Sequence, residues 1–162
     1  IILSADTILD PITPNITFWG FEYPDILNTY IETLRSLKNL EIDLALATHR
    51  KIITNPHERM DDLILHHNER LQEILDAMDF DREYTVREIS ANISWRIRAD
   101  NWDEFPRAQK WFAAGETMAH LHHLANTDCV RMEKGEGPLK FIKLKEQIVP
   151  FNKESMEDVK SL

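Results

Sequence analysis

The sequence predicts an α+β chain, and three patterns predict it. Two short apolar runs, residues 1–5 and 42–48, flank one amphipathic segment, which reads as strand–helix–strand. A long apolar stripe from Met60 to Met78 reads as a connecting helix. Beyond it come a capping signature, a further helical segment and two strand-like runs about a Gly-rich turn, an order that reads as a winged helix. The division expected is 1–56 for the strand–helix–strand piece, 57–80 for the connecting helix, 81–145 for the winged helix and 146–162 for a tail or short packing helix.

Each element has its own signal. Ile1-Ile2-Leu3-Ser4-Ala5 is a strand that stops at Asp6. A Pro-punctuated stretch then runs to Pro24, too broken for a helix. Its Ile12, Ile16, Phe18 and Trp19 cover the sheet or line the rim of a cleft. Leu27, Tyr30, Ile31 and Leu34 recur at helical spacing and predict a helix over 25–37. The strand over 42–48 stops at His49. The long helix starts at Asn55-Pro56 and carries Met60, Leu63, Ile64, Leu71, Ile74, Leu75 and Met78 on one face. Thr85-Val86-Arg87-Glu88 is a capping box for a helix that turns Val86, Ile89 and Ile93 inward. A polar stretch with Trp95 and Trp102 follows. Residues 107–126 then form a helix with Trp111, Phe112, Met118, Leu121 and Leu124 on its apolar side. Gly115 inside that helix costs about 1 kcal/mol against Ala, which predicts close packing there. Residues 129–133 and 139–144 make a hairpin around Lys134-Gly135-Glu136-Gly137-Pro138.

Composition narrows the function classes. With 43% hydrophobic and 29% charged residues in 162, the chain has an ordinary globular make-up and no stretch approaching a membrane span. A lone cysteine, Cys129, excludes an internal disulfide framework, suits a reducing cytoplasm and reads as a buried strand residue. The net charge is uneven. Residues 1–81 hold 6 basic and 15 acidic side chains, while 82–145 hold 11 and 9. Wholesale nucleic-acid binding is disfavoured, though a local contact by the second part is not.

Parallel strands joined by a helix place Asp6 and His49 at the same, carboxyl edge of the sheet, where open α/β sheets hold ligands. Singly, Asp6 reads more readily as a turn cap and His49 as a loop histidine than either does as a ligand. Together they read as metal ligands, but a catalytic zinc normally has three protein ligands, so they form part of a site. The chain also begins inside an apolar strand, which reads as the C-terminal piece of a longer protein.

Ser4-Ala5-Asp6-Thr7-Ile8-Leu9, Pro11-Ile12-Thr13-Pro14-Asn15-Ile16, Ala47-Thr48-His49-Arg50 and Gly115-Glu116-Thr117-Met118-Ala119-His120-Leu121 together resemble the metallo-β-lactamase superfamily. The branch resembled is that of β-lactamase-like and glyoxalase-II-like hydrolases with a C-terminal winged helix. The resemblance runs from Ile1 to about Leu144. It implies the C-terminal strand–helix–strand piece of an αββα fold and a parent hydrolase acting on an ester, thioester, lactam or phosphodiester. It further implies two zinc ions about 3.5–4 Å apart, with Asp6 bridging them and His49 as the last ligand. The remaining ligands would come from an upstream portion, so this chain alone would hold zinc weakly and be inactive. Ala5 stands where that family has a glycine, and Thr48 and Arg50 flank His49 where it has small residues.

Other histidines read as structural. His66 and His67 are adjacent on a helix and point about 100° apart, so they cannot share an ion. His67 falls on the apolar stripe, His66 on the helix surface and His57 in the first helical turn. His120 and Glu116, at i and i+4, form a hydrogen bond in preference to a metal site. The alternative function is a winged-helix module for nucleic-acid binding, dimerisation or a lid, with Trp95, Trp102 and Trp111 as anchors. The expected partners are a small-molecule or RNA substrate, with a homodimer left open, no duplex DNA and no membrane.

Overall fold

The computed structural model describes residues 1–99 and 101–151. From residue 152 the expected tail lies outside the described residues. Within them the chain is a mixed α/β protein with four α-helices and two small sheets. It divides into two compact units. One holds Ile1–Pro14, Tyr30–Asn68, Pro150 and Phe151; the other holds Asn15–Thr29 and Glu69–Val149.

In the first unit, β1 (Ile2–Ala5) is connected by α1 (Ile26–Lys38) to β2 (Ala45–Ala47). The strands pair in parallel, Ile2 with Ala45, Leu3 with Leu46 and Ala5 with Ala47. The register slips between Leu3 and Ala5. Ser4 is buried at the slip, and its hydroxyl donates to Ile8 O at 3.2 Å. The second strand is shorter than the 42–48 run. On its other side Ala45 exchanges two backbone hydrogen bonds with Ile53, at 2.9 and 3.0 Å, which folds the following loop back on it. The long helix α2 (Pro56–Asp76) starts where the sequence predicts, with a proline whose missing N–H is no loss in a first turn. Ile31, Leu34, Met60 and Leu63 are fully buried in this unit. The Pro-punctuated stretch is tied down through its carbonyls: Arg59 donates to Leu9 O at 2.7 Å and Ile12 O at 3.0 Å.

In the second unit, the last turns of α2 and the residues after it bury Leu71, Ile74, Leu75 and Met78. Next come β3 (Glu83–Tyr84) and α3 (Val86–Asn92). The capping box forms as read, Glu88 N donating to Thr85 Oγ1 at 3.3 Å and Thr85 N to Glu88 Oε2 at 2.7 Å. A 3₁₀ turn over Trp102–Glu104 leads to α4 (Arg107–Asn126), then β4 (Val130–Glu133) and β5 (Lys140–Lys143). These last two strands are antiparallel, and β3 adds on the other side of β5. The two-residue β3 has no periodicity to read, so the sequence did not announce it.

The inward face of α4 differs from the expected one. Trp111 and Phe112 are 65% and 43% exposed, whereas Glu116, Thr117, His120 and His123 are buried beside Leu121 and Leu124. Polar side chains are tolerated there because they find partners. Ser90 Oγ donates to Thr117 Oγ1 at 2.9 Å, His120 Nδ1 lies 2.8 Å from Glu116 O, and His123 Nδ1 lies 2.8 Å from Asp25 Oδ2. The close packing expected at Gly115 is present. A Cβ there would run into Thr17 Oγ1, and Phe18 N donates to Gly115 O at 3.1 Å. Among the described residues no helix is long and apolar enough to cross a membrane.

Candidate metal centre

Because β1 and β2 are parallel, their C-terminal ends share one edge. Backbone geometry then delivers one side chain from each. Ala5 closes β1 with φ +47°, in the left-handed region, and Thr7 N donates to Ser4 O at 2.8 Å, so Asp6 sits on a tight turn. After β2, Thr48 N donates to Ala5 O at 3.2 Å, which carries the strand pairing one residue further. Arg50, at φ +75°, turns the chain behind His49. Each candidate ligand is thus flanked by a non-glycine residue in a conformation that favours glycine.

Asp6 Oδ1 lies 3.6 Å from His49 Nε2, and Thr48 Oγ1 donates to the same Asp6 oxygen. Two ligands at zinc–ligand lengths of about 2.1 Å and a tetrahedral angle are separated by about 3.4 Å. The spacing and the donor types, carboxylate oxygen and imidazole nitrogen, therefore fit part of a metal site. Both side chains are open to solvent, at 66% and 63%, so further ligands have access. Among the described residues no third His, Cys, Asp or Glu joins them.

A polar cavity of about 240 Å³ is lined by residues following each strand, including Asp10, Lys51, Glu58 and Arg59. Lys51 pairs with Asp10 at 2.7 Å, and Arg59 is committed to the carbonyls described above.

The remaining titratable groups lie elsewhere. His67 is buried and meets Tyr30 edge to face at 5.5 Å, His66 is half-buried, and His57 is in the first turn of α2. His122 packs edge-on against Phe18 and Phe21. The sequence reading missed Asp25. Its carboxylate caps α1 through Asn28 N at 3.0 Å and takes His123 Nδ1 at 2.8 Å. Burial pushes its pKa up, but these bonds and the nearby His123 outweigh that and hold it at about 2. A helix-start aspartate is legible as a cap; a histidine 98 positions away is not. Glu116 goes the other way. Burial raises it to about 6, against the opposing pull of Arg70 and of the hydrogen bond from Asn15.

The family model of the metallo-beta-lactamase-like C-terminal domain matches residues 103–144. Among solved structures, a metallo-beta-lactamase family protein from Thermus thermophilus is 27% identical, with a TM-score of 0.70 over 88% of this chain and 42% of its own. A beta-lactamase domain protein from Burkholderia ambifaria is 25% identical, with a TM-score of 0.75 over 88% and 41%. No curated protein matches the chain. The chain spans less than half the length of these two structures. Together the matches support a C-terminal portion of a metallo-β-lactamase superfamily protein.

Proposed function

We propose, from the chain's place in the C-terminal portion of a metallo-β-lactamase superfamily protein, that Asp6 and His49 are two ligands of a dimetal hydrolase site. The observation that carries this reading is their convergence at 3.6 Å on one sheet edge from two parallel strands. When bound, a divalent metal pair, zinc on the donor set present, supplies Lewis acidity and activates water toward an ester, thioester, lactam or phosphodiester. Asp6 contributes the carboxylate, His49 the imidazole, and the left-handed turns at Ala5 and Arg50 aim both at one point. The other ligands and the substrate rim belong to portions of the protein beyond this chain. On its own the chain would bind zinc weakly and hydrolyse nothing.

For the second unit we propose a winged helix, with α3 and α4 as its helices and β4–β5 as its wing. The match over 103–144 and the antiparallel β3–β5–β4 sheet support it. Its role on this reading is structural, as a lid or a dimer surface; the exposed Trp111 suits such a surface.

The test is mutational. In the full-length protein, Asp6→Ala and His49→Ala should each remove most hydrolytic activity, of the order of a hundredfold or more, while His66→Ala and His122→Ala should leave it nearly intact. Full activity after loss of His49 would refute the assignment.

A further inference from the structure

Thr48 lies between β2 and His49, and its hydroxyl donates to Asp6 Oδ1. Asp6 is mostly exposed, so nothing in the surrounding packing fixes its rotamer. Thr48 is well placed to do so. It is β-branched and therefore stiff at χ1, and its own backbone is locked by the 3.2 Å bond from its N–H to Ala5 O. A hydrogen bond to an ionised carboxylate contributes about 1.5–3 kcal/mol, enough to select one rotamer of an exposed aspartate. The bond also divides the carboxylate. Oδ1 faces both the Thr48 hydroxyl and His49 Nε2, whereas Oδ2 has no partner among the described residues.

We infer that Thr48 is a positioning residue: its hydroxyl holds Asp6 with Oδ1 facing His49 Nε2, so that the two atoms are set to share a divalent metal ion. Groups that orient a ligating carboxylate typically change metal affinity or activity 10–100-fold when removed. The inference rests on the proposed metal reading of Asp6, and the experiment separates the two.

The full-length protein and its Thr48→Val, Thr48→Ala, Thr48→Ser, Asp6→Ala and His49→Ala variants are titrated with zinc against a competing chelator. Cobalt(II) absorption and thermal unfolding are recorded for each. Thr48→Val and Thr48→Ala should bind zinc about tenfold more weakly and shift the cobalt band. Thr48→Ser, which keeps the hydroxyl, should restore both, a rescue that a purely packing role would not give. If Thr48→Val fails to fold, Thr48→Ala, which adds no bulk, decides by the same criterion. Native affinity in a folded Thr48→Ala, with Asp6→Ala and His49→Ala impaired, overturns the role of Thr48 alone. Native affinity in Asp6→Ala and His49→Ala overturns the metal reading and this inference with it.

Discussion

Glu116 shows how one buried side chain sets a pH dependence. Its Oε2 accepts from Asn15 Nδ2 at 3.2 Å, and its Oε1 lies 3.7 Å from Arg70 Nε. That separation is too long for a hydrogen bond, and Arg70 Nε is buried without one. Burial therefore wins over the ion pair, and the carboxyl titrates near 6. A carboxyl whose folded pKa lies above its unfolded value binds protons more tightly when folded. Its contribution to stability is thus greatest below the usual carboxyl range and declines as pH rises through about 6. Over that interval the change is about 2 kcal/mol. Glu116→Gln, which mimics the neutral form, should be the more stable protein at pH 7.5 by about 1–2 kcal/mol and nearly equal to the native protein at pH 4.5. Urea unfolding at both pH values measures this; a less stable Glu116→Gln at pH 7.5 would mean that the Arg70 pair outweighs desolvation. Ala5 and Arg50 illustrate a residue-scale feature of another kind. Left-handed φ at a non-glycine residue costs about 1–2 kcal/mol, and it occurs here immediately before Asp6 and immediately after His49. Such strain is commonly found at functional sites.

At the scale of elements, the join between α4 and the stretch before α1 depends on a missing side chain. Phe18 N donates to Gly115 O, and Thr17 fills the space where a Cβ would stand. Helix propensity alone predicts that Gly115→Ala stabilises by about 1 kcal/mol. Overpacking predicts the opposite, a loss of about 1–3 kcal/mol, because threonine has few rotamers to retreat into. The clash should prevail, so Gly115→Ala is expected to lower stability. Thr17→Ala in the same chain should restore it, leaving a favourable coupling of about 1 kcal/mol or more in a double-mutant cycle. A Gly115→Ala protein that is more stable than the native one would show that the loop simply moves away.

At the scale of the molecule, periodic elements were legible and non-local pairings were not. The stripe from Met60 to Met78 and the capping box at Thr85 could be read because apolar spacing and caps are local signals. The convergence of Asp6 and His49 was also legible, since a strand–helix–strand unit dictates it. The polar inward face of α4 was not, because burying Glu116 and His123 depends on Asn15 and Asp25, about a hundred positions away. The wing is the other case. Lys134, Lys140 and Lys143 stand close together in its sequence and are the side chains that any contact with single-stranded RNA would use. The structure divides them: Lys143 is 6% exposed, paired with Glu146 at 2.8 Å and placed over Phe80. Lys134 lies over the Phe21 ring at 3.7 Å, and Lys140 is half-buried. On α4, Lys110 donates to Asp103 O at 3.0 Å. Lys143 and Lys110 are therefore already engaged within the protein, and affinity for duplex DNA comes mainly from phosphate contacts. Duplex binding at physiological salt should be weaker than the micromolar range. Any contact with single-stranded RNA should depend on Lys134 and Lys140 and be indifferent to Lys143. Titrations of the protein with labelled duplex DNA and single-stranded RNA, at low and physiological salt, measure both. Submicromolar duplex binding that is lost on mutating Arg107 and Lys110 would make α4 a recognition helix; RNA binding lost in Lys143→Ala alone would mean that its buried pairing opens in solution.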